Sequence, residues 1–223
     1  MTRPAADAAP SAVRAFVALA LDPPARAAVA AATAELRGEF DAAMRWAAVD
    51  GLHLTLRFLG DVAPDAVPTL GAALHAAAAR SAPVHLRLSG AGVFPPRGRP
   101  RVLWVGVEPA PTLAALHGVV EDACAAVGLG RAGRPFRPHL TVARPRPGAP
   151  LAEPALAAAL ARVGFVTATR VASLHLMRSD LTPAGARHTP LGAFAIGTAA
   201  PGTLTRGGDR APGGPAPASR GAR

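Results

Sequence analysis

The chain contains two copies of a short motif in which a histidine is followed two positions later by a threonine. The first copy is His53 and Thr55, and the second is His139 and Thr141, an offset of 139 − 53 = 86 residues. Each copy lies in an apolar run typical of a β-strand, where side chains alternate between the two faces of the sheet. The histidine and the threonine of each copy should therefore share one face, with the intervening leucine on the other.

Two histidines that face each other form a natural acid–base pair. Their ordinary pKa of about 6.5 allows one ring to be neutral while the other is protonated near neutral pH. The threonine hydroxyls can donate hydrogen bonds to an oxyanion. This set of groups suits in-line attack on a phosphodiester, in which one histidine accepts a proton from the nucleophile and the other donates a proton to the leaving oxygen. The predicted reaction requires no metal, no cofactor and no covalent intermediate.

The segments around the motifs predict an α+β fold with a mainly antiparallel sheet. Helix-like and strand-like segments interleave, and strands are often neighbours in sequence, which argues against a doubly wound parallel sheet. The predicted helices are 23–40, 64–80, 111–127 and 151–163, and the predicted strands are 13–21, 52–60, 84–90, 101–108, 136–144, 165–178 and 188–196. A duplicated βα lobe explains why each motif strand is followed by a helix. Lobes related by a pseudo-twofold axis would place the two His–Thr pairs across a central cleft.

The composition of the two ends differs from that of the centre. Residues 1–12 are polar and rich in alanine, and we predict a flexible leader there. Residues 198–223 are a low-complexity run of Gly, Pro, Ala and Arg. Such a run buries too little apolar surface to offset the entropy of ordering, so we predict a disordered tail. The working body is then a single domain over residues 13–197.

The charged residues exclude several kinds of enzyme. All 24 basic residues are arginine, against 14 acidic residues, and the formal net charge is +10. Without lysine the chain has no Walker A loop and no lysine for a Schiff base or a nucleotidyl intermediate. A positive surface favours phosphate-bearing partners. The single cysteine, Cys124, rules out a disulfide framework, and with no signal peptide or membrane-length apolar run it predicts a cytoplasmic protein.

Five blocks of the sequence, in the same order, resemble the RNA 2′,3′-cyclic phosphodiesterase family. This 2′–5′ RNA ligase-like family belongs to the two-histidine phosphoesterase superfamily, whose signature is two H-x-[ST]-x motifs. The resembling blocks are 14–26, 45–62, 92–108, 136–146 and 173–191. The resemblance implies a bilobal α+β domain around a central cleft. It also implies an enzyme that opens terminal ribonucleoside 2′,3′-cyclic phosphates to 2′-phosphomonoesters.

The same resemblance assigns roles to the motif residues. It implies that His53 donates a proton to the leaving 3′-oxygen and that His139 is the base that activates water. It implies that Thr55 and Thr141 hold the phosphate oxygens. The donor and acceptor roles of the histidines can be exchanged, because nothing in the sequence distinguishes them.

Arginines near the motifs are candidate substrate contacts. Arg144 ends the second motif strand, where the family often has arginine, so the resemblance favours a contact with phosphate or RNA. Arg137 is a weaker candidate of the same kind. Arg57 follows Thr55 by two residues and shares the face of His53 if the strand stays regular, where it could pair with phosphate. The alternative for Arg57 is a solvated residue at a sheet edge.

Other residues have more ordinary interpretations. The aromatic side chains of Phe58, Trp104 and Phe136 could stack on a base, but their apolar strands favour core packing. The remaining histidines show no partner pattern and are interpreted as surface or core residues; they are His75, His85, His117, His175 and His188. The segment 128–133 matches G-x-G-x-x-G, but it follows a predicted helix and precedes a strand. We interpret it as a connecting loop rather than a dinucleotide site.

Three functions remain open on this evidence. The first is the phosphodiesterase that acts on RNA 2′,3′-cyclic phosphate ends. The second is another enzyme with the same site, either a small-molecule cyclic phosphodiesterase or a reversible 2′–5′ RNA ligase. The third is a non-catalytic protein that binds RNA ends. The expected partner is RNA with a cyclic phosphate end or a cyclic nucleotide, with no membrane and no obligate protein partner, and we expect a monomer.

Overall fold

A computed structural model describes residues 12–182 and 185–197 of the chain. In chain order its helices and strands are β1 (Val13–Ala20), α1 (Pro23–Ala32), α2 (Ala34–Phe40), β2 (Met44–Trp46), β3 (His53–Val62), α3 (Ala66–Arg80), β4 (Val84–Phe94), β5 (Val102–Val107), α4 (Pro111–Ala126), β6 (His139–Pro145), α5 (Glu153–Ala161), β7 (Phe165–Val171), β8 (Ser173–Thr182) and β9 (Gly185–Ala195). Residues 1–11 of the predicted leader and all of the predicted tail, 198–223, lie outside the described residues. No helix of the described part is long and apolar enough to cross a membrane.

All the strands join one sheet in which every pairing is antiparallel. The strand order is β7-β4-β5-β6-β3-β1-β8-β9, and the short β2 pairs with β6. The predicted α+β class with an antiparallel sheet is therefore confirmed.

The sheet is built as two repeated halves that meet at its centre. The motif strands β3 and β6 are neighbours and pair through Leu54 and Leu140. On the outer side of each motif strand lies a partner in matching register. In β1, Ala20 pairs with His53, and in β5, Gly106 pairs with His139. The two pairings differ by 86 residues on both strands, so the repeat seen in the sequence is a repeat of structure.

Helices pack on the face of the sheet that carries the leucines of the motifs. Leu54, Leu56, Leu140 and Val142 are buried in a single apolar core with residues of α1, α3, α4 and α5. Helix α1 begins as the sequence indicates, with Asp22 accepting a hydrogen bond from the backbone N–H of Ala25 at 2.8 Å and proline in the first turn. The opposite face of the central strands is left to the histidines and threonines.

Several predicted boundaries were wrong. The predicted helix 23–40 is divided at Thr33, whose hydroxyl donates to the carbonyl of Val29 at 2.8 Å and competes with the helical backbone pattern. The predicted strand 165–178 is divided at residue 172, because β7 pairs with β4 while β8 pairs with β1 at the other end of the sheet. The three-residue strand β2 was not predicted.

Both motif strands contain a β-bulge at the residue after the threonine. In β3, Thr55 and Arg57 pair with consecutive residues of β1, so Leu56 is the extra residue. In β6, Thr141 and Ala143 pair with consecutive residues of β5, and Val142 is the extra residue. A bulge shifts the alternation of side chains by one position. Two consecutive side chains in each strand are therefore buried.

Candidate active site

The four motif side chains lie together on one face of the central strands. His53, Thr55, His139 and Thr141 are partly exposed, while Leu54 between the first two is fully buried. An antiparallel register centred on the Leu54–Leu140 pair aligns each histidine with the threonine of the other copy. The predicted His–Thr pairs are thus brought side by side in opposite directions, with a histidine at each end of the group.

Each motif histidine is oriented by the carbonyl two residues before it. The Nδ1 atom of His53 lies 2.7 Å from the carbonyl oxygen of Gly51, and Nδ1 of His139 lies 2.7 Å from that of Arg137. A carbonyl oxygen only accepts hydrogen bonds, so Nδ1–H is the donor in both rings. This leaves Nε2 of each ring as the atom that can accept or release a proton.

The neighbours of His53 make its imidazole less basic. Its ring centroid is 5.0 Å from that of Phe16 and 5.4 Å from that of His188. Burial lowers the pKa of His53, the hydrogen bond to Gly51 opposes this change, and the nearby rings of His188 and His139 lower the pKa further. His53 of the free protein is therefore mostly neutral at pH 7.

His139 has a different set of neighbours. Its ring meets the edge of Phe94, with centroids 5.0 Å apart, and Phe94 in turn packs on Trp104 at 5.3 Å. Gly92 is required beside Trp104, because a Cβ atom at position 92 would overlap the indole ring. The second motif is thus supported by two aromatic side chains from β4 and β5.

The structure adds a third histidine that the sequence did not indicate. His188 of β9 packs on Phe16, with centroids 4.9 Å apart, and its ring lies edge-on to His53. Burial lowers the pKa of His188, and the charge of Arg144 lowers it further. His188 is an exposed residue, as the sequence suggested, but its contact with His53 was not predicted. No spacing signal connects residues 53 and 188, because their proximity depends on the return of β9 along β8.

The prediction that Arg57 shares the face of His53 was wrong, because the bulge at Leu56 turns its side chain to the opposite face. Arg57 is only 5% exposed. Its Nη1 donates to Glu121 of α4 at 2.5 Å, and its Nη2 donates to the carbonyls of Leu129 and Gly130 at 3.0 Å. Glu121 also accepts from the backbone N–H of Ala132 at 2.8 Å. Arg57 therefore ties α4 and the loop 128–133 to the sheet.

The bulge at Val142 shifts the alternation of β6 by one position, so the side chain of Arg144 lies on the same face as His139. Arg144 is exposed, lies after the buried pair Val142 and Ala143, and its charge acts on His188. Arg137 is exposed, and its backbone carbonyl holds His139. The predicted contact of Arg144 with phosphate is compatible with this position and stays a prediction.

The three aromatic candidates have separate surroundings. Phe58, at the position equivalent to Arg144, is 69% exposed, so the preference for core packing was wrong for this residue. Phe136 stacks on His117 at 4.2 Å, and Trp104 packs on Phe94 as described above. Among the residues that the structure describes, no three His, Cys, Asp or Glu side chains are grouped closely enough to hold a metal ion.

The duplicated antiparallel sheet with two opposed His–Thr pairs on one face is the arrangement of a two-histidine phosphoesterase. Comparison with known families agrees with this class. The chain belongs to the 2′-5′ RNA ligase superfamily, whose family model matches residues 21–183.

Individual relatives support the same assignment. An RNA 2′,3′-cyclic phosphodiesterase of Methanothermobacter thermautotrophicus is 35% identical over 187 residues, which are 82% of this chain and 99% of the relative. One from Geobacillus stearothermophilus is 43% identical over 99 residues, but these cover only 44% of this chain and 32% of that relative. The crystal structure of the Thermus thermophilus protein TT0787 aligns with a TM-score of 0.70 at 31% identity, over 82% of this chain and 98% of that one.

Proposed function

We propose that the protein hydrolyses the 2′,3′-cyclic phosphate at the end of an RNA strand to a 2′-phosphomonoester. The observation that carries the proposal is the opposed pair of histidines, each held by a carbonyl through Nδ1 and each with Nε2 available. The names of the relatives, RNA 2′,3′-cyclic phosphodiesterases, support the choice of substrate.

The proposed reaction uses one histidine at each end of the phosphate. Nε2 of His139 accepts a proton from water while the water oxygen forms a bond to phosphorus. Nε2–H of His53 donates its proton to the 3′-oxygen as the bond between that oxygen and phosphorus breaks. The ester bond to the 2′-oxygen remains, which gives the 2′-phosphomonoester. The hydroxyls of Thr55 and Thr141 donate to the non-bridging oxygens, where negative charge builds up.

The lowered pKa of His53 fits a donor that becomes charged only with substrate bound. In the free protein, burial and the neighbouring histidines favour the neutral ring. A bound phosphodiester brings a negative charge next to Nε2 and favours the imidazolium. An imidazolium whose surroundings disfavour its charge gives up its proton more readily to the leaving oxygen.

The same residues can support a ligation reaction. If the 5′-hydroxyl of a second RNA strand replaces water, attack on the cyclic phosphate with departure of the 3′-oxygen gives a 2′–5′ linkage. The membership of the chain in the 2′-5′ RNA ligase superfamily is the observation that favours this second activity. This ligation consumes no ATP and forms no nucleotidyl-lysine intermediate, so the absence of lysine does not exclude it.

We propose a monomeric cytoplasmic enzyme with one domain over residues 13–197 and no obligate protein partner. Both motifs come from a single chain, so a complete set of acid–base groups needs no second copy. The thiol of Cys124 is buried, and burial raises its pKa to about 11, so it is a packing residue rather than a nucleophile.

Phosphorus NMR of the purified protein with a 2′,3′-cyclic nucleotide in EDTA tests the proposal. We expect conversion to the 2′-phosphate at a rate that EDTA does not change. Formation of the 3′-phosphate would retain the histidine pair but reverse the choice of leaving oxygen. Absence of product from both a cyclic nucleotide and an RNA oligomer with a cyclic end would overturn the proposed function in favour of another substrate or of RNA-end binding.

A further inference from the structure

A cavity rich in arginine lies at the end of the second motif strand, beyond Thr141. It has a volume of about 590 Å³ and lies between the β4–β5 loop and the end of β6. Its charged lining consists of Arg99, Arg101, Arg144 and Arg146. We refer to it as the four-arginine cavity. The rest of its lining is proline and glycine, and no acidic residue of the described chain contributes to it.

The charges of this cavity are not neutralised within the described part of the chain. None of its four arginines forms an ion pair there, whereas Arg57, Arg87 and Arg162 each contact a carboxylate. In addition, Arg45 of β2 lies directly across from Arg144 in the sheet. Like charges in directly opposite positions repel each other. A bound anion would neutralise the positive charge of this surface.

The lining of the cavity suits phosphate groups rather than bases. A guanidinium group can donate two parallel hydrogen bonds to phosphate oxygens. Proline has a fixed φ and no backbone N–H, so prolines between the arginines hold their backbone in place without offering donors to a base. Contacts of this type position a nucleic acid strand without reading its sequence.

Two sets of neighbouring residues lead from the lining of the cavity towards the motif histidines. Arg144 lies five residues after His139 on the same strand, a span of about 16 Å. Phe94, whose ring contacts His139, directly precedes Pro95 of the cavity lining. On the other side, the charge of Arg144 acts on His188, which contacts His53. One phosphate cannot occupy both the histidine pair and the far end of the cavity, but a strand with several phosphates can.

We propose that the four-arginine cavity binds phosphodiester groups of the RNA strand that precede the cyclic end. This inference rests on the proposed function and assigns a binding site to the part of the RNA strand upstream of its cyclic end. The cavity adds affinity for the strand without a base preference, and its contribution decreases as salt increases.

The test compares two substrates with the double variant Arg101→Ala/Arg146→Ala. Arg144 stays intact because it also faces the histidines. We expect kcat/KM for a short oligonucleotide with a 2′,3′-cyclic end to fall about tenfold or more, mainly through KM, because charge-assisted hydrogen bonds are lost. The rate on the cyclic mononucleotide should stay within about twofold, because a single nucleotide does not reach these side chains. The slope of log kcat/KM against log salt concentration should become shallower by about 1.4, the value for two lost contacts to a single strand.

Two further variants complete the test. Arg80→Ala removes an exposed arginine at the end of α3 and should alter neither substrate. Arg101→Lys/Arg146→Lys keeps the charge and should retain most of the salt dependence. Equal kcat/KM losses on both substrates, or none on either, would overturn the cavity proposal while the protein remained a phosphodiesterase. Absence of turnover of both substrates by the unaltered protein would instead overturn the proposed function.

Discussion

Strands β3 and β6 carry the same motif, the same bulge after the threonine and the same contact from histidine Nδ1 to a carbonyl. Their side chains differ from the bulge onward. The first buried residue after the bulge is Arg57 in β3 and Ala143 in β6, and the next exposed residue is Phe58 in β3 and Arg144 in β6. At this position β3 therefore exposes an aromatic side chain and β6 exposes a positive charge.

The surroundings of the two histidines differ as well. His53 lies against Phe16 and a third histidine, His188, and its pKa is lowered. His139 lies against Phe94, in the half that also carries the four-arginine cavity. The shared backbone thus provides two equivalent proton-transfer groups. Their different neighbours can give the two histidines different roles, and can also fix the direction in which an RNA strand binds.

The largest expected effect concerns what the two halves have in common. His53→Ala and His139→Ala should each lower kcat by about 10² to 10⁴, because each removes one proton-transfer step. The kcat of the double variant should be only slightly lower than that of the less active single variant, since the two groups act in one reaction. His85→Ala, on exposed β4 surface, is the control. Near-normal turnover by either motif variant, measured by phosphorus NMR, would rule out the paired mechanism.

The second prediction concerns the difference between Arg57 and Ala143. Arg57→Ala leaves the Glu121 carboxylate buried without its partner and should lower the free energy of unfolding by about 3–5 kcal/mol, measured with denaturant. Arg57→Met combined with Glu121→Gln should recover much of this loss. The folded variant should retain its kcat. A stable variant without activity would mean that Arg57 also positions the motif strand for the reaction.

The third prediction compares the two threonines. Thr55→Val and Thr141→Val should each lower kcat by about 10², because each removes a hydroxyl donor to the phosphate oxygens in the transition state. Thr→Ser at the same positions keeps the hydroxyl and should retain most of the activity. Unequal losses would show that the phosphate lies closer to one motif, and no loss in either would exclude the threonines as donors.

The fourth and smallest effect concerns His188, which has no equivalent beside His139. His188→Asn removes a ring that lowers the pKa of His53, so that pKa should rise. The corresponding limb of the pH profile of kcat/KM, which reports the free enzyme, should move to higher pH. His85→Asn should leave the profile unchanged. An unchanged profile for His188→Asn would show that His188 does not influence the reaction.

The sequence predicted the features that depend on local pattern. The repeat of His53 and His139, the alternation around each motif and the interleaving of helices and strands predicted an antiparallel α+β fold, with the histidine and the threonine of each motif on one face of its strand. These features need only the periodicity of strands and helices. The sequence placed the two pairs across a cleft between lobes, whereas they lie side by side on neighbouring strands of one sheet. The family resemblance added the substrate and the candidate roles, which no local pattern contains.

The features that the sequence did not predict depend on partners distant in the chain. The placement of Arg57 required knowledge of the bulge at Leu56, which exists only relative to the register of β1. His188 reaches His53 only because β9 returns along β8. The four-arginine cavity joins the loop before β5 to the end of β6, which are about 40 residues apart in the chain. Such features follow from tertiary contacts, which override local propensity.

The claim that His53 donates and His139 accepts can be tested with a substrate that needs no donor. In a 2′,3′-cyclic substrate with sulfur at the bridging 3′ position, the leaving thiolate has an ordinary pKa of about 8.5 and departs without a proton. We expect this substrate to recover most of the kcat lost in His53→Ala and little of that lost in His139→Ala. Recovery in His139→Ala instead would exchange the two roles. Recovery in neither variant would contradict acid–base catalysis by this pair.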